Sequence, residues 1–162
     1  MRDLYHVNHQ EKNWAIKDYV PGTRHKGDEA TESWGGGQAC HLVTLAYNLA
    51  FTCLLRFDEV LRIQSQDIIL LPNNCLKVTL SFRKTSQYGG MHTLATCLIF
   101  FIAYVHLEIK PFVLHMMPSA MAYLCPVYAF AEWKTVSRIR EGYIFHKMAS
   151  GDHISVNNDP MV

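Results

Sequence analysis

The sequence predicts an α+β fold, mainly helical with a small antiparallel β-hairpin or sheet, on three observations. Leu42, Leu45, Ala46, Leu49 and Cys53 recur at spacings of three and four, which lines one face of a helix over residues 39–55. Leu76, Val78, Leu80 and Phe82 alternate with Lys77, Thr79, Ser81 and Arg83, the period-two pattern of a half-buried strand. Pro126 stands where a new apolar helical pattern begins, and proline suits a first helical turn, where its missing N–H costs nothing.

Composition bounds what such a fold can do. With 162 residues, 49% of them apolar, the chain can bury one real core. A net charge of +1 lacks the basic excess by which a dedicated nucleic-acid-binding domain usually declares itself. Cys40, Cys53, Cys75, Cys97 and Cys125 are scattered, odd in number and without a Cys-x-x-Cys pair. That argues against structural zinc and a disulfide framework, and for reduced thiols inside a cell. The first residues are polar and mixed in charge, unlike a signal peptide.

Taken in order, residues 1–38 read as an irregular polar leader, rich in His, Asn, Asp, Glu and Gly, closed by Trp34, Gly35, Gly36 and Gly37. His6, His9 and His25 have no acidic or cysteine partner at a ligand spacing, so no metal or other cofactor is expected. The helix over 39–55 follows, and Arg56 interrupts its apolar run. Asp58 suits the N-cap of a short helix over 59–63, because its carboxylate can accept the free amides of a new turn. An arginine at such a break either caps the preceding helix C-terminus or holds a fixed, two-pronged donor toward a phosphate.

Residues 67–71 read as a strand, Pro72, Asn73 and Asn74 as a turn, and the alternating strand runs on to Arg83, Lys84 and Thr85. From 85 to 107 there is no Asp, Glu, Lys or Arg, and the return strand starts only at about residue 110. Hairpin loops commonly need two to five residues, so 91–107 reads as an apolar insertion. Its densest apolar run, about a dozen residues, falls short of the roughly 20 that cross hydrocarbon. Beyond Pro126 the inner face is expected from Val127, Phe130, Ala131 and the Lys134 stem, with Trp133 packed and Arg138 and Arg140 solvated. Residues 141–145 form a turn and a short apolar segment, and Ser150, Gly151 and Asp152 a loop.

Leu55, Arg56, Glu59, Leu61, Asp67 and Ile68 together resemble the first-arginine motif of the tyrosine recombinases, enzymes that break and rejoin DNA. That motif has an arginine, two variable residues, a glutamate, a leucine pair and an aspartate–isoleucine strand start. One departure is Leu54, where the family usually has a small glycine. Leu124 to Val127 and Glu141 to Phe145 are similar to recombinase-like proteins of fungal mobile elements. The resemblance spans roughly 39–145 and is interrupted at 91–107.

It implies a partial recombinase catalytic domain over 39–162. Arg56 would contact the scissile phosphate with Glu59 in support. Lys84 would sit on the hairpin as general acid, with Arg83 a weaker alternative, and all three cations would meet DNA. The family also needs a second arginine in a His-x-x-Arg box, a nearby histidine or tryptophan and a tyrosine nucleophile. His146 and His153 open no such box, and Tyr128 and Tyr143 precede its place in packed elements. The expectation is therefore the front part of a DNA integration and recombination domain, catalytically inactive alone. Its partner is weakly bound DNA rather than a small-molecule substrate or a membrane, and its location is intracellular and nuclear. The alternative of another class is a small membrane-associated protein anchored by 91–107.

Overall fold

A computed structural model of the chain describes residues 1–16, 36–80, 110–149, 152–154 and 161. Its helices are α1 (Arg2–Asn8), α2 (Glu11–Trp14), α3 (Gly37–Thr52), α4 (Phe57–Leu61) and α5 (Pro126–Ser137). The strands are β1 (Ile68–Leu71), β2 (Cys75–Val78), β3 (Phe112–His115), β4 (Met148–Ala149) and β5 (His153–Ile154). The coarse expectation of helices with a small antiparallel sheet is met.

Helix α3 is the centre. Leu42, Leu45, Ala46, Leu49 and Cys53 are all buried, against Val127, Phe130 and Trp133 of α5 and Leu76 and Val78 of β2 in one core. Each fully buried leucine there contributes about 1.5–3 kcal/mol by leaving water. Trp133, only 1% exposed, also donates its indole N–H to the Ile144 carbonyl at 3.0 Å, which satisfies the one polar atom it brings inside. Pro126 opens α5 as expected. Ala131, however, is exposed, and Lys134 turns outward to Ser65 Oγ at 3.2 Å. Pro126 and Ala129 take their places on the inner face.

The sheet has the order β1-β2-β3, antiparallel throughout, with Leu71 opposite Cys75 and Val78 opposite Phe112. Asn73 and Asn74 carry φ of 67° and 54° in the connection between β1 and β2. Asparagine tolerates that left-handed backbone better than most residues. Leu76, Val78 and Leu80 point inward as the alternation requires, while Cys75, also buried, breaks it. Asp67 ends a 3-10 turn (Ser65–Asp67) rather than starting β1, and accepts the Gln64 N–H at 2.9 Å.

Two further expectations need correcting. The N-cap of α4 is Arg56, not Asp58, which lies inside the first turn. The described part of the leader is not irregular: α1 and α2 pack on α3. Their order comes from side chains that short-range periodicity does not reveal. Rings of Tyr5, His9, Trp14 and His41 stack in succession, with centroids 3.6, 3.7 and 3.5 Å apart. Buried Asn8 donates to Thr44 Oγ1 at 3.0 Å, and Asn13 to the Val7 carbonyl at 2.8 Å. Among the described residues, no helix is long and apolar enough to cross a membrane. The insertion proposed at 91–107 lies outside the described residues, as do His25, Trp34 and Phe82.

Candidate nucleic-acid interface

Arg56 is placed by the two helix ends that flank it. Helix α3 closes with the Cys53 N–H on the Leu49 carbonyl at 3.0 Å and the Leu55 N–H reaching back to Ala50 at 2.9 Å. The second bond, spanning five residues, is the mark of a Schellman turn, whose pivot takes a left-handed backbone. That pivot is Leu54, at φ 51° and 82% exposed. Leu55 then tucks into the core and Arg56 emerges, extended at φ −73°, ψ 154°, as the N-cap of α4. The Arg56 N–H donates to Glu59 Oε2 at 2.9 Å. Glu59 is 5% exposed, so its carboxylate grips the backbone of the break from inside while the Arg56 side chain is exposed. The capping half contributed by Glu59 is worth about 1 kcal/mol, and its negative charge suits the first turn of α4.

The departure noted at Leu54 thus has a backbone meaning. The turn demands φ > 0, which glycine adopts freely and leucine only at a cost of roughly 1–2 kcal/mol. What the geometry gives Glu59 is a hold on the Arg56 backbone N–H, through Oε2. Lys84 and Arg83 lie outside the described residues, so their placement relative to Arg56 is not part of this geometry.

The segment carrying Tyr143 docks on the end of α4. The Ser65 N–H donates to Gly142 at 2.7 Å, and the Ile144 N–H to Ile63 at 3.0 Å, with Gln64 bridging Tyr143. His146 follows, buried, and burial pushes its imidazole below the usual histidine range. It faces the interior and offers no donor to a surface phosphate. Tyr128, by contrast, is not packed away: it is 40% exposed on the outer flank of α5.

Two features escape sequence reading. Cys75 Sγ stands 3.1 Å from His115 Nδ1, a contact fixed by their cross-strand pairing. Knowing the β2–β3 register would have revealed it; neither residue alone signals it. Asp152, assigned only to a loop, caps α3: Gln38 and Ala39 donate their N–H groups to its Oδ2 and Oδ1 at 2.8 and 2.9 Å. Among the described residues, no group of three or more His, Cys, Asp or Glu side chains could hold a metal ion. No protein-family model, curated protein or solved structure matches the chain.

Proposed function

We propose that this chain contributes the first-arginine half of a tyrosine-recombinase-like DNA integration module, binding duplex weakly through its phosphates and cleaving none by itself. The observation that carries the reading is the presentation of Arg56: an exposed guanidinium on a backbone held by a Schellman turn before it and by buried Glu59 after it. A planar two-pronged donor with a fixed origin is what phosphate recognition needs. The resemblance of the surrounding residues to the recombinase motif supplies the identity of the phosphate. Cleavage is not expected, because no His-x-x-Arg occurs anywhere in the sequence. One arginine supplies only part of the donor set that a phosphoryl transition state requires, and such sets lose activity non-additively.

The test is a fluorescence-anisotropy titration of a labelled duplex at several salt concentrations. Weak, sequence-independent binding is expected, and Arg56→Ala should lower the salt slope by about 1. A slope that Arg56→Ala leaves unchanged would remove Arg56 from the interface. The same samples, run on a denaturing gel with a nicked duplex that traps covalent intermediates, should show no protein–DNA adduct. An adduct abolished by Tyr128→Phe or Tyr143→Phe would show that the chain carries its own nucleophile.

A further inference from the structure

A concavity lies between α1, α3, the 3-10 segment Ser119–Leu124 and α5, none of which carries Arg56. Its volume is 220 Å³, and its polar lining is Tyr5, Thr44, Ser119, Tyr128 and Glu132, with two alanines between them. At about 30 Å³ per water-sized group, that is room for on the order of seven heavy atoms. Three sequence-distant segments meet here, so nothing in the linear order announces the site.

Its charge has one sign. Among the described lining residues Glu132 alone carries a formal charge, and it sits one helical turn from Tyr128 on the same flank of α5. Its carboxylate Oε2 lies 3.8 Å from His9 Nε2, too far for a hydrogen bond, and that ring nitrogen is buried without a partner among the described residues. Burial, and after it the Glu132 carboxylate, hold the Tyr5 hydroxyl above the usual tyrosine range. The adjoining rings already attract a cation. The Arg2 guanidinium rests 5.2 Å over the Tyr123 ring, which meets Tyr5 edge-on at 6.5 Å.

We propose that this pocket binds a small organic cation, a primary alkylammonium or alkylguanidinium, with its head on Glu132 and its stem between Tyr5 and Tyr128. An anion would face the Glu132 carboxylate, whose one basic neighbour among the described residues is His9 at 3.8 Å. A neutral solute of the same size would gain nothing from the charge of that carboxylate. The Ser119 and Thr44 hydroxyls supply acceptors for the remaining N–H groups of the head, and the tyrosine side chains supply apolar contact for the stem.

The experiment titrates the full chain with butylammonium and propylguanidinium, following saturation-transfer NMR, with 1-butanol as the uncharged comparison. Saturable binding of both cations is expected, with Glu132→Gln weakening it about tenfold to a hundredfold, the worth of a charge-assisted hydrogen bond. Glu132 is partly exposed, so the variant should keep its melting temperature. Ser119→Leu, an exposed change that adds bulk to the lining and leaves Glu132 intact, should also weaken binding. Absence of saturable binding, equal binding of 1-butanol, or full affinity in either variant would each overturn the assignment.

Discussion

The two ends of α3 are built on opposite terms. At its start the backbone demands glycine and has it. Gly36 sits at φ 152°, and a Cβ added there would fall 2.3 Å from Asp152 Cγ; one added to Gly37 would fall 2.4 Å from the Ala15 carbonyl oxygen. The free amides of that end are met by Asp152, more than a hundred residues away. At its finish the backbone again favours glycine but has Leu54, and every bond that closes the turn is local. One end is therefore assembled by tertiary contact without backbone strain, and the other assembles itself while carrying strain. Arg56 belongs to the strained end. Arg138 ends α5 in the same left-handed way, at φ 55°, so the device is used twice.

The comparison can be broken most strongly at Gly37. Gly37→Ala adds a methyl group against the α2 backbone, where only a shift of α2 could relieve it. Overpacking of this kind costs about 1–3 kcal/mol, and alanine's better helix propensity returns less than about 1. A net loss of about 2 kcal/mol in urea unfolding is expected, with a changed near-ultraviolet signal from the Trp14–His41 stack. An unchanged midpoint would mean that α1 and α2 do not bear on α3 as placed. Next in size is Asp152→Ala. It removes the acceptors of two α3 amides and should cost about 1 kcal/mol, the usual worth of an N-cap. Asp152→Asn, which keeps one acceptor oxygen, should recover part of that.

How far the sequence reveals this molecule follows the same division. Local devices are readable: the three-and-four spacing from Leu42 to Cys53, the turn at Asn73 and Asn74, the alternation from Leu76 to Leu80, and the first-turn position of Pro126. Devices that join distant residues are not. Asp152 looks like any loop aspartate until it meets Gln38 and Ala39. Helices α1 and α2, of seven and four residues, are too short to hold in isolation and are ordered by ring stacking and buried asparagines. The reading of Asp58 as N-cap failed for a nearer reason. Aspartate is the better capping residue, but the Schellman turn fixes where the chain leaves α3, and that leaves Arg56 in the position. Ala131 reads inward at the three-and-four spacing from Val127, whereas the burial of Pro126, Ala129 and Trp133 shifts the inner face away from it.

The smallest effect is the sharpest test of the strained end, and it runs in the stabilising direction. Leu54→Gly gives the Schellman pivot the residue its φ of 51° favours. Relief of the left-handed strain, about 1–2 kcal/mol, is offset in part by the extra freedom glycine brings to the unfolded chain, about 0.5–1. Because Leu54 is 82% exposed, little apolar burial is lost with its side chain. A gain of about 0.5–1 kcal/mol in urea unfolding is therefore expected. The turn hydrogen bond from Leu55 to Ala50 and the bond from Arg56 to Glu59 involve only backbone and Glu59 atoms, so both survive the change. Arg56 should then emerge at the same place, and the salt slope of duplex binding should match that of the unsubstituted chain. A gain in stability with an unchanged slope would separate the strain from the proposed phosphate contact. If the slope shifts with Leu54→Gly, the leucine itself positions Arg56, and the departure from glycine is part of how this surface meets DNA.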